Sequence, residues 1–182
     1  AGSRQATLMF PAGTMAELLM ADGSTAPVGS IQVRATEYTV GERGPLAMPA
    51  PLADNTAYTY AVELSADEAM ASGAVSVVLS EAVSVYVENF LGFPVGDPIP
   101  AGYFDRRRAE WVPAPNGLVI EVLSESAGLA SIDIQGLGVP AEPLELDNLG
   151  ISEAELARLA LLYEPGQELW RVQVDHFTPW DF

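Results

Sequence analysis

Short segments in which apolar residues recur at every second position punctuate residues 1–123. That is the period of a half-buried strand, not of a helix. Residues 6–10 (ATLMF) form a short apolar run stopped by Pro11 and Gly13. Residues 17–28 (ELLMADGSTAPV) carry a turn signal at Asp22-Gly23 and predict a hairpin. In residues 30–40, Ile31, Val33, Ala35 and Glu37 share one side, and Gln32, Arg34, Thr36 and Tyr38 the other. The pattern slips near Glu37, which predicts a bulge. Residues 41–56 are rich in Gly and Pro and read as a loop. Alternation resumes at 58–65, with Tyr58, Tyr60, Val62 and Leu64 on one face, and 66–74 reads as one helical turn or a loop. Residues 75–91 predict two strands divided at Ser80-Glu81, with Val83, Val85 and Val87 on a common face. The turn-rich stretch 92–117 leaves room for one or two short strands around Tyr103 and Trp111, and 118–124 (LVIEVLS) is a further strand.

One segment follows a different period. In residues 150–166, Leu156, Leu159, Ala160 and Tyr163 make a stripe at helical spacing. Ser152 is a suitable N-cap, Glu155 stands where a capping box needs it, and Ile151 can staple onto Leu156. Pro165-Gly166 ends the helix. Alternation then returns at 168–178, placing Trp170, Val172, Val174, His176 and Thr178 on an inner face and Leu169, Arg171, Gln173, Asp175 and Phe177 on the other. Many short strands punctuated by Gly and Pro predict a mainly β fold, a β-sandwich, with one α-helix inserted before the final strand. One domain over 1–182 with a helical insertion at about 143–166 is the expected organisation.

Charge narrows the functional classes. Of 182 residues, 25 are acidic and 8 basic, for a net charge of −17, and every basic residue is Arg. Such a surface repels nucleic acid and anionic lipid. No apolar run reaches the roughly 18–20 residues that a spanning helix needs. No signal peptide is visible, and the abrupt termini suggest a piece excised from a longer protein. There is no Cys and a single His, which removes thiolate chemistry, disulfides and His-rich zinc sites.

That His opens the most pointed question in the chain. In residues 174–182 (VDHFTPWDF), His176 precedes Phe177 and Thr178. The triplet has the groups needed for an N-to-O acyl shift. The Thr178 hydroxyl attacks the Phe177 carbonyl carbon while His176 helps remove the hydroxyl proton. The peptide C–N bond breaks, the amine is released, and water hydrolyses the ester. A strained backbone would assist. The alternative is a half-buried His hydrogen-bonded at the end of a strand.

Three other patterns carry chemistry. Residues 131–142 (SIDIQGLGVPAE) have the spacing of an EF-hand-type calcium loop, with Ser131, Asp133 and Gln135 at ligand positions, Gly136 at the turn and Glu142 at the end. Only Asp133 and Glu142 are charged, so the loop reads as a decayed one. No cofactor is expected, and calcium is the one metal the loop could take. The cluster Asp105-Arg106-Arg107-Arg108 suits a carboxylate or phosphate, or pairing with Asp105, Glu110 and the acidic surface. Tyr58, Tyr60, Tyr86, Phe90, Phe93 and Tyr103 read either as core and sheet packing or as a carbohydrate platform. No phosphate loop, nucleophile elbow or H-E-x-x-H motif is present.

Several blocks, FPAGT (10–14), QVRATEYTVGERGPLAMPAPL (32–52), YTYAVELSADEA (58–69), VSVYVENFLGFPVGDPIPAGYFDR (83–106), WVPAPNGLVIEVL (111–123) and LWRVQVDHFTPWDF (169–182), resemble the N-terminal β-domain of bacterial rearrangement-hotspot (RHS/YD-repeat) proteins. That domain is similar to the ZU-five β-sandwich. The resemblance implies a ZU-five-like fold and a secreted or cell-surface bacterial parent. It implies a structural module that positions the downstream repeat region of the same polypeptide; the charge and the lack of a spanning run leave neither nucleic acid nor an inserted membrane as an expected partner. In some ZU-five relatives an HFS triplet is cut after Phe, which carries over to His176, Phe177 and Thr178 as an alternative, self-processing function with no external substrate. Here Thr stands in place of Ser, and Pro179 follows it, biasing Thr178 towards an extended conformation.

Overall fold

The computed structural model describes residues 4–41, 43–51 and 60–182. Residues 42 and 52–56 of the expected loop and Tyr58 and Thr59 of the expected strand lie outside them. The fold is mainly β, antiparallel and sandwich-like, with 46% strand against 15% helix. In chain order the elements are β1 (Ala6–Met9), β2 (Ala16–Leu19), β3 (Thr25–Val28), β4 (Val33–Glu37), β5 (Ala61–Ala66), α1 (Asp67–Ser72), β6 (Ser76–Glu88), β7 (Pro98–Asp105), β8 (Glu110–Ser126), β9 (Leu129–Asp133), α2 (Pro143–Asn148), α3 (Glu153–Leu162), β10 (Glu168–Phe177) and β11 (Pro179–Asp181). They fall into two compact units, and β6, β7, β8 and β10 contribute residues to both.

The first unit comprises residues 1–11, 84–99 and 116–173. Here β1 pairs with the later half of β6, from Ala6↔Val87 to Met9↔Ser84. β8 pairs with β10 from Leu118↔Arg171 to Glu121↔Glu168. β8 also forms a hairpin with β9, closed at Ser126↔Leu129. The two residues of that turn, Ala127 and Gly128, both have positive φ, 52° and 81°. A tight hairpin needs that twist, and Ala127 adopts it despite its side chain.

Against this sheet α3 lays its predicted stripe. Leu159 and Tyr163 are buried with Ile120, Val122, Ile132 and Leu169, while Leu156 and Ala160 pack at the margin. The Ser152 hydroxyl accepts the Glu155 N–H at 3.2 Å, as an N-cap should. Glu155 does not complete the box. Its carboxylate turns instead to Arg171 of β10. The capping box belongs to the preceding helix α2, where Glu142 and Glu145 serve each other across Pro143.

Arg171 corrects the expected outer face of the last strand. It is buried because Glu155 meets it at 2.9 and 3.2 Å. Its Nε–H is shared with the Tyr86 hydroxyl, and its terminal N–H groups also reach the Ser84 hydroxyl and the carbonyls of Leu149 and Gly150. Burial pushes the Glu155 carboxyl up, but the hydrogen bonds and charge of Arg171 outweigh that and hold it below the usual range. A second hub is Asn89, which accepts the Trp170 indole N–H at 2.8 Å and the Phe93 N–H at 3.0 Å and donates to Phe93 O and Glu168. Phe90 and Phe93 close over the Trp170 ring.

The second unit comprises residues 12–83, 100–115 and 174–182. The predicted hairpin is β2–β3, turning at Asp22-Gly23, where Gly23 has φ 88° and the Asp22 carboxylate accepts the Ser24 N–H. β2 also pairs with β6, from Ala16↔Leu79 to Leu19↔Ser76. The break expected at Ser80-Glu81 is absent, and β6 is one strand of 13 residues. Ser80 is absorbed because its N–H donates to Met15 O and its hydroxyl accepts the Met15 N–H. No bulge occurs at Glu37, where β4 holds regular register against β5 from Val33↔Ala66 to Glu37↔Val62. Residues 67–72 form α1, capped by Gly73 at φ 73°.

Two substitutions in the first unit test this packing. A Cβ at Gly117 would lie 2.5 Å from Arg171 O and 2.6 Å from Val172 Cγ2. Gly117→Ala is expected to lower unfolding free energy by about 1–3 kcal/mol in urea titrations, as overpacking does. Glu155→Gln leaves a buried guanidinium without its counter-charge, and the expected loss in the same assay is larger, about 3–5 kcal/mol.

Candidate functional site

The closing segment 174–182 lies wholly in the second unit. β10 ends at Phe177, the chain bends at Thr178, and β11 begins at Pro179. β11 is hydrogen-bonded on both sides. Trp180 is opposite Val62 of β5 and Tyr103 of β7, and Asp181 is opposite Ala61 and Gly102. Beyond it, Phe182 exchanges both backbone bonds with Tyr60, and their rings stack at 6.1 Å. Residues 177–182 are all buried. Pro179 fits here because it occupies the first position of a strand, where a missing N–H is tolerated.

The Phe177–Thr178 link is fixed from several directions. The Ser76 hydroxyl donates to Phe177 O at 3.2 Å. The Leu64 N–H donates to Thr178 O at 3.2 Å, and the Trp180 indole N–H donates to His176 O at 3.2 Å. The Thr178 hydroxyl is directed at Pro179 O, 3.4 Å away. None of the three residues has positive φ. His176 shares a cavity wall with Thr178, as alternation predicts, but no hydrogen bond joins them among the described residues. The imidazole instead meets the Tyr103 ring edge-on at 4.5 Å and the Trp180 ring at 5.2 Å, with Nδ1 2.6 Å from Asp175 Oδ1. A carboxylate accepts, so Nδ1 carries the proton in that pair.

The calcium-like loop lies in the first unit. Asp133 is buried, and its carboxylate accepts the backbone N–H groups of Gln135, Gly136 and Gly138 at 2.8, 2.9 and 2.5 Å. Burial pushes this carboxyl up, but these amides more than offset that and leave it below the usual range. Gln135 donates to Glu145, and Glu142 caps α2. Ser131 sits in β9 opposite Ser124. The carboxylate oxygens of Asp133 and Glu142 thus serve the loop and the helix that follows, and Gln135 is tied to that helix through its amide nitrogen. Among the described residues no group of three or more acidic or His side chains is gathered around a common point.

The arginine cluster divides. Arg108 pairs with Glu110 at 2.6 Å and Arg106 with Glu63 at 2.5 Å. The Asp105 carboxylate holds the backbone N–H groups of Arg107 and Arg108. The aromatic residues are divided between the two units. Tyr86, Phe90 and Phe93 belong to the first unit, Tyr60 and Tyr103 to the second, and Tyr58 lies outside the described residues.

Sequence reasoning missed Ser76, which reaches the Phe177 carbonyl across a hundred positions of chain and leaves no local signal. It also missed Asp181, a buried carboxyl whose Oδ1 has no hydrogen-bond partner among the described residues. Burial raises this group from 3.8 to about 7. A folded pKa above the unfolded one means that the folded state holds the proton more tightly. The stabilisation from Asp181 is therefore complete below about pH 4 and is lost as pH rises to about 7. Unfolding free energy measured across that window should fall by roughly 2–4 kcal/mol more in the wild type than in Asp181→Asn, which removes the titration. The chain matches no family model, no curated protein and no solved structure.

Proposed function

We propose that the chain is a non-catalytic structural module of a large secreted or cell-surface bacterial repeat protein, with the downstream repeat region of the same polypeptide as its partner. The observation that carries this reading is the state of residues 174–182. The segment that holds the one candidate reactive triplet is used as interior sheet, bonded on both sides along β11 and buried to Phe182. A backbone held by a ladder and three side-chain bonds is suited to bearing load across a β-unit. The resemblance of the 83–106 and 169–182 blocks to the RHS/YD-repeat N-terminal domain supports the kind of parent, and the net charge of −17 suits a solvated surface facing salt and divalent ions.

One contact favours a second reading, self-cleavage between Phe177 and Thr178. The Ser76 hydroxyl already donates to the carbonyl that would be attacked, where it would stabilise the developing oxyanion. Against it, the Thr178 hydroxyl is directed at Pro179 O, and His176 Nδ1 is engaged by Asp175. Neither group is aligned for proton transfer from one to the other.

Intact mass under denaturing conditions separates the two, using a chain that continues past Phe182 beside a Thr178→Ala control. A single uncut mass in both after days at 25 °C is the expected result. Two fragments divided after Phe177 in the wild type alone would overturn the structural reading and establish the second.

A further inference from the structure

The second unit contains a cavity of about 280 Å³ that none of the readings above uses. Val75, Val78 and Leu19 supply apolar wall, and Ser76, Thr178, His176 and Tyr103 supply polar groups. Arg106 and Arg107 also line it. Arg106 is neutralised by Glu63. Among the described residues no carboxylate pairs with the Arg107 guanidinium, in a protein with three acids for each base. Two acids, Asp105 and Asp175, also line the cavity, and both are engaged elsewhere. Asp105 holds the N–H groups of Arg107 and Arg108, and Asp175, largely exposed, holds His176 Nδ1.

The donor and acceptor inventory then defines a ligand. Arg107 offers a planar set of donors suited to a carboxylate. The Ser76 and Thr178 hydroxyls spend their protons on Phe177 O and Pro179 O, so what each retains is acceptor capacity. The His176 Nδ1–H donates to the Asp175 carboxylate, so the ring nitrogen left for a ligand is Nε2, an acceptor whenever the ring is neutral. A complementary molecule has one carboxylate and several hydroxyl donors. The volume limits it to metabolite size, below the usual range for larger ligands.

The geometry points to a binding site for a small polyhydroxylated carboxylate of the sugar-acid class, with the carboxylate on Arg107 and hydroxyl groups on Ser76, Thr178 and His176. A neutral sugar lacks the anionic end. Inorganic phosphate has no row of hydroxyl donors for the three acceptors.

His176 makes the test direct, because the sole His gives one set of imidazole resonances in a ¹H–¹⁵N correlation spectrum. The protein is titrated at pH 7.5 and constant ionic strength with sodium glucuronate, and in parallel with glucose and with inorganic phosphate. Glucuronate is expected to shift the His176 signals saturably, with no saturable shift from glucose or phosphate. Arg107→Ala, an exposed position that the fold does not depend on, should weaken glucuronate about tenfold or more, as loss of a charged hydrogen-bonding partner does. No saturable shift with glucuronate, equal binding in Arg107→Ala, or saturation by phosphate or glucose instead would each overturn the assignment.

Discussion

A guanidinium inside a sheet must find an acceptor for each of its N–H groups, and that demand organises the first unit. Arg171 cannot be met by β-strands alone, since their carbonyls are committed to the ladder. It takes the Glu155 carboxylate from α3, the Leu149 and Gly150 carbonyls from the turn before that helix, and the Ser84 and Tyr86 hydroxyls from β6. One side chain thus sets where the helical segment sits on the sheet and which way α3 faces. The apolar stripe of α3 supplies the burial, but hydrophobic contact is non-directional. The charged bonds fix the register.

The second unit solves a different problem, which is how to close a sheet with a segment only three residues long. β11 does so by pairing on both sides and by carrying large side chains, Trp180 within the strand and Phe182 just beyond it. His176 and Tyr103 pack around Trp180 and seal one side of the bend at Thr178. The same crowding that stabilises the bend leaves the neighbouring cavity walled by hydroxyls whose protons are already committed.

Much of this was legible in the sequence. Period-two alternation located the strands, Asp22-Gly23 the first hairpin, and the Leu156–Leu159–Tyr163 stripe the helix, because each signal is local. Failures came where a distant group altered a local rule. Ser80 looked like a strand break until Met15 accepted and donated across it. Glu155 looked like half of a capping box but was drawn to Arg171. His176 and Thr178 were placed correctly on one wall, whereas Ser76, Arg107 and Asp181 acquire their significance only through tertiary neighbours.

The position of β11 also governs the order in which the second unit can assemble. β5 and β7 both wait for a strand that lies far downstream of them in the chain. Until it arrives, each presents an unpaired edge, the surface through which β-proteins join to the wrong partner. Contacts of such long sequence separation form slowly. The vulnerable period of this protein is therefore the interval between synthesis of β5 and docking of Trp180, and a chaperone that shields strand edges would act most usefully there.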